Sequence, residues 1–132
     1  MSFVTLCFPL DQTTAGTAET VYQTIPTGGP AKFRVVGATF QPDTNRTASD
    51  TDYATVAVKV GSQSLGSFTT QTTGSGGNGN LVAGTAVAFS LSDEEGYPHT
   101  AGSSHVNVAV TKAGSGVAIT GMVTVLLEAV RA

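Results

Sequence analysis

The stretch Tyr53-Ala54-Thr55-Val56-Ala57-Val58-Lys59-Val60 decides the fold. Valine recurs at every second position, while Tyr53, Thr55 and Lys59 take the alternate ones. Side chains of a strand alternate between two faces, whereas a helix repeats every ~3.6 residues. The period of two therefore specifies a β-strand with one apolar face. Val, Thr and Tyr also suit a pleated, half-buried surface. Gly61-Ser62-Gln63 reads as a tight turn into a second run at 64–70, and a polar loop over 41–52 precedes the first.

The same alternation recurs in about eight places. It is present at 3–8, and at 19–25, where Pro26 and the turn Thr27-Gly28-Gly29-Pro30 stop it. In the run 32–40 the phase changes. Phe33 and Val35 fall on one face and Val36, Ala38 and Phe40 on the other, with Gly37 at the changeover, which predicts a β-bulge or a crossing between sheets. Val87, Phe89 and Leu91 mark a core face in 86–92, and Val106, Val108 and Val110 another in 105–112. The last run, 122–130, is apolar on both sides: Val123, Val125 and Leu127 against Met122, Leu126 and Val130. A strand apolar on both faces needs cover on both, so its second face is a candidate subunit contact. The Gly/Ser/Asn stretch 73–80 reads as a flexible loop.

Composition agrees. The chain has 132 residues, with 21 Thr, 16 Val and 16 Gly and only 11% charged residues, a mixture that weakens helices and favours short strands joined by turns. The expected fold is all-β: a single antiparallel β-sandwich domain over 1–132, jelly-roll-like, with about eight strands. Residues 1–17 are expected to form an N-terminal strand or arm that either takes part in contacts or is the first strand of the domain's own sheet. Cys7, the one cysteine, excludes an internal disulfide and reads as an inert buried thiol. The opening residues lack the basic region and small-residue cleavage site of a signal peptide. No apolar run nears the ~20 residues of a membrane helix. Net charge is −3 and the six basic residues are scattered, so neither nucleic acid nor an anionic membrane is an expected partner. Another protein is.

Each chemical motif has a plainer reading. The loop Asp43-Thr44-Asn45-Arg46-Thr47-Ala48-Ser49-Asp50-Thr51-Asp52 offers oxygen ligands but lacks calcium-loop spacing, and Asp and Asn also serve turns. Asn45-Arg46-Thr47 matches a glycosylation acceptor, a short pattern common by chance. Asp93, Glu94, Glu95, His99 and His105 could be drawn as a zinc site, or Asp93 and Glu94 as a glycosidase pair; a solvated loop explains them better. Gly74-Ser75-Gly76-Gly77-Asn78-Gly79 has no following Lys-Ser/Thr and no helix to present its amides, so it is not a phosphate cradle. No catalytic residue, metal ligand or cofactor is expected, and no enzyme activity.

The order of runs carries a resemblance. Val35 to Pro42, then Tyr53 to Val58 after an Asn/Thr-rich loop, then Leu81 to Ser92, and finally Val106 to Ala118 with its Val-Thr-Lys-Ala-Gly-Ser-Gly-Val-Ala segment resemble the small head decoration, or cement, proteins of tailed bacteriophages. The resemblance spans roughly 18–130 and rests on strand-and-turn grammar. It implies a jelly-roll β-sandwich, a homotrimer on the outer capsid surface of the virion, and the major capsid protein as partner. It also implies assembly in the host bacterial cytoplasm and reinforcement of the shell. The candidate protein contacts are Phe3, Phe8, Pro9 and Leu10 in the apolar opening, and Met122, Leu126 and Val130 on the last strand. The alternative is a phage fibre or tail-associated sandwich binding host glycan. It is weakened by the lack of Trp and the dispersal of Tyr22, Tyr53 and Tyr97 along the chain.

Overall fold

The computed structural model describes residues 3–23, 32–73, 77–91, 99–100 and 105–129. Within them lie β1 (Phe3–Gln12), β2 (Glu19–Gln23), β3 (Lys32–Pro42), β4 (Tyr53–Val60), β5 (Gln63–Thr69), β6 (Val87–Ala88), β7 (His99–Thr100), β8 (Val106–Ala113) and β9 (Ile119–Ala129), and no helix among the described residues. Every pairing between strands is antiparallel. One sheet has the order β1-β9-β3-β6, with β7 also on β3; the other is β2-β8-β4-β5.

Both short strands lie along the same edge of β3, β6 opposite Thr39 and Phe40 and β7 opposite Lys32 and Phe33. Together they make one interrupted strand, giving two sheets of four. The chain crosses between the sheets in the order of a jelly roll, with β4 and β5 as a hairpin within one sheet. The sequence reading treated His99 as part of a loop; a two-residue strand is too short to show a period.

The valines build the core. Val58 pairs with Val108, and Val56, Val58, Val60, Val106, Val108 and Val110 are all buried between the sheets. Each such side chain contributes ~1.5–3 kcal/mol by leaving water. Across the gap Phe40 stacks on Phe68 with ring centroids 5.7 Å apart, and Phe68 meets Phe89 edge-on at 5.2 Å. Val87 and Phe89 are buried as expected, whereas Leu91 is partly buried against the core.

Two sites along the strands show how backbone geometry serves packing. In β3 the register against β9 slips between Val35 and Gly37. The extra residue, Val36, is pushed out and stands 40% exposed, while Phe33, Val35, Ala38 and Phe40 all reach the core. The predicted bulge is there, but it corrects the face assignment: Val36 does not share a face with Ala38 and Phe40. At the far edge of the sandwich, a Cβ on Gly66 would lie 2.5 Å from the Ser90 carbonyl oxygen. Only glycine lets the segment after β6 cross that close to β5.

At the opposite edge the opening segment is fixed. β1 pairs with β9 along its whole length, from Phe3 opposite Glu128 to Gln12 opposite Ile119. Phe8 is fully buried and Leu10 is 3% exposed. These two expected contacts are therefore core residues of their own domain, and the N-terminal run is an intramolecular strand. The alternation that buries Leu6, Phe8 and Leu10 turns Cys7 to solvent, so the expected buried thiol is an exposed one. Gln23 Nε2 donates to the Cys7 carbonyl at 3.2 Å, tying β2 to β1 across the two sheets.

Candidate functional site

The outward face of the β1-β9-β3 sheet gathers the remaining contact candidates. Cross-strand register sets them in rungs: Pro9, Met122 and Gln41; Cys7, Thr124 and Thr39; Thr5, Leu126 and Gly37; Phe3, Glu128 and Arg34. Paired residues on neighbouring strands share a face and touch. Phe3 is 51% exposed, Met122 39%, and Leu126 is half-buried beside a glycine that offers it no side-chain cover. Val36, expelled by the bulge, adds a further apolar side chain; only the bulge geometry reveals it. Val130 lies outside the described residues.

Pro9 sits where proline is tolerated. β1 is an edge strand, and a residue without an N–H costs nothing on the unpaired side. At the Phe3 end, Arg34 clamps Glu128, with Nη2 2.7 Å and Nε 2.8 Å from the same Oε1. The pair is half-sheltered and closes that end with a neutralised charge. At the Met122 end a groove of about 560 Å³ opens between Thr39, Met122 and Thr124 on the sheet and the turn at Ala83 and Gly84. The face thus combines exposed apolar side chains, a concave end and a balanced ion pair.

The acidic loop takes a different role. Asp43 accepts from Thr44 Oγ1 at 2.9 Å and from Thr120 Oγ1, and these hydroxyls, Thr120 foremost, hold its carboxyl below the ordinary value. Asp50 accepts from the Thr73 N–H at 3.0 Å, the Thr73 hydroxyl at 2.9 Å and the Thr72 N–H at 2.8 Å, which lowers its pKa likewise, the Thr73 N–H most. Asp52 accepts from the Ser115 N–H at 2.8 Å, and Asn45 from the Ala83 N–H at 2.8 Å. The carboxylates are spread over separate loop anchors. Among the described residues no group of three or more His, Cys, Asp or Glu is placed to hold a metal.

Other sequence motifs are dispersed or held in place. His99 belongs to the sheet of β3 and His105 leads into β8 of the other sheet, while Asp93, Glu94 and Glu95 lie outside the described residues. Of the glycine-rich stretch, Asn78 N–H reaches the Thr69 carbonyl and Gly79 N–H the Gln71 carbonyl, both at 2.9 Å. Tyr22 and Tyr53 occupy the outward face of the second sheet but pair with Asn107 and Ala113, six residues apart on β8. At ~3.4 Å per residue they do not form one platform. Tyr97 lies outside the described residues. In comparisons with known proteins, the chain matches no family model and no curated relative.

Proposed function

We propose that the chain is a structural protein that assembles through the outward face of the β1-β9-β3 sheet: a decoration protein that binds the outer head surface of a tailed phage as a homotrimer and reinforces the shell. The observation that carries this reading is the set of exposed apolar side chains on this face, Phe3 at one end, Met122 at the other and Val36 and the half-buried Leu126 between them, on a sheet whose other face is used by the core. Exposed apolar side chains on one sheet face are surface that a protein partner can cover. A jelly roll is an architecture of capsid and lectin domains alike, and the resemblance in strand order favours the capsid. The groove beside Met122 gives a neighbour's chain a place to seat. On this reading the protein has no enzymatic role, gathers in the bacterial cytoplasm, and ends on the virion surface against the major capsid protein.

Co-sedimentation with undecorated heads of the phage that encodes the chain tests it. The expected result is that the full chain pellets with the heads and raises the temperature at which they open. Met122→Glu, which puts a charge on the face without touching the core, is expected to do neither. Heads that neither retain the protein nor gain heat resistance contradict the decoration role.

A further inference from the structure

We infer that the outward face of the four-stranded sheet holds a binding site for an acidic saccharide, separate from the assembly face. Cross-strand register places Tyr22, Asn107 and Lys59 in one rung across β2, β8 and β4. In the neighbouring rung stands Ala109, whose methyl group is too small to fill the space. The result is a depression of about 370 Å³ lined by these four residues, Gly61 and His105 among others. That volume falls within the ~300–1,000 Å³ of ligand clefts.

Its chemistry is specific. Tyr22 is 61% exposed, and its ring is propped edge-on against His105 with centroids 5.0 Å apart. A held, solvent-facing aromatic ring offers a surface for the C–H face of a pyranose. Asn107 is a polar residue only 3% exposed on an outward face. One of its N–H groups donates to the Gly61 carbonyl at 3.0 Å, and no described residue takes up its Oδ1, which is left to accept from a sugar hydroxyl. The Gly61 N–H in turn donates to the His105 backbone carbonyl at 2.9 Å, so the turn and the start of β8 are tied together. Lys59 brings an ammonium, and among the described residues no carboxylate forms an ion pair with it or lines the depression. In a chain of net charge −3, a concave surface with a cation and no acid among the described residues favours a ligand bearing a negative charge. A saccharide carrying a carboxylate meets all three features: ring face, hydroxyls and charge.

A glycan array of sialylated and uronic-acid oligosaccharides with their neutral counterparts, probed with the full chain, tests this. Acidic glycans are expected to be retained and neutral ones not. Titration of the best-bound glycan is expected to show about a tenfold loss of affinity for Tyr22→Ala, the scale of one aromatic contact. Lys59→Gln, which removes the charge at an outward-facing position with a side chain one atom shorter, is expected to remove the preference for the acid while leaving the melting temperature unchanged. Retention of no acidic glycan, equal retention of neutral glycans, or unchanged affinity in Lys59→Gln overturns the proposal.

Discussion

Single residues in this fold often act on partners far away in sequence. The acidic loop is the clearest case: Asp50 reaches amides 22 and 23 positions on, Asp52 one 63 positions on, and Asp43 a hydroxyl 77 positions on. Residue type announced carboxylates suited to turns, but nothing local identifies the N–H each one meets. The depressed pKa of Asp50 carries a pH signature. Its stabilisation is complete above the ordinary aspartate value of 3.8 and is lost as pH falls through the lower value of the folded chain. Melting temperatures at pH 7 and pH 3 should therefore fall further apart for the native chain than for Asp50→Asn, which has no charge to lose. An equal drop in both would show that the Asp50 hydrogen bonds do not couple folding to pH. Cys7 shows the opposite kind of legibility. Its exposure follows from Phe8 being buried, since neighbours on a strand face opposite ways, although its place inside an apolar run suggests burial.

For whole strands, alternation is a strong guide until a bulge intervenes. Six strands with clean valine or aromatic periods are legible in sequence because one face of each must be dry. Two strands depart from clean alternation: β5, whose register against β4 slips beside Val58, and β3, which explains the rule. Its apolar residues change phase, and the bulge at Val36 restores all four to the core. Deleting Val36 should force either Phe33 and Val35 or Ala38 and Phe40 onto the outward face. At ~1.5–3 kcal/mol for each large side chain, that loss approaches the 5–15 kcal/mol of a whole domain. Val36→Ser, compared in the monomeric Met122→Glu background, alters only an exposed side chain and should change stability by no more than ~0.5 kcal/mol. Urea unfolding of the two variants checks the pair; a deletion variant as stable as the native chain would show that the bulge does not set the register. β7 was not legible, because two residues carry no period and its pairing to β3 is set by the tertiary fold.

Over the whole molecule, pattern specified a sandwich but not which strands neighbour which. That information resides in pairings such as β1 with β9 and β2 with β8, made by residues about a hundred positions apart. The proposed assembly face inherits the same property. Pro9, Met122 and Gln41 form one rung only after the sheet is built, so the sequence named Met122 and Leu126 from a two-sided strand yet misassigned Phe8 and Leu10. The face that results has apolar side chains outward and the Arg34–Glu128 pair internally balanced, and on the proposed reading it meets another copy of itself. Sedimentation equilibrium of the full chain at micromolar concentration tests that claim most directly. The native protein is predicted to run as three chains of 13.3 kDa, about 40 kDa, and Met122→Glu as one. A native protein that stays at 13.3 kDa at every concentration would contradict it.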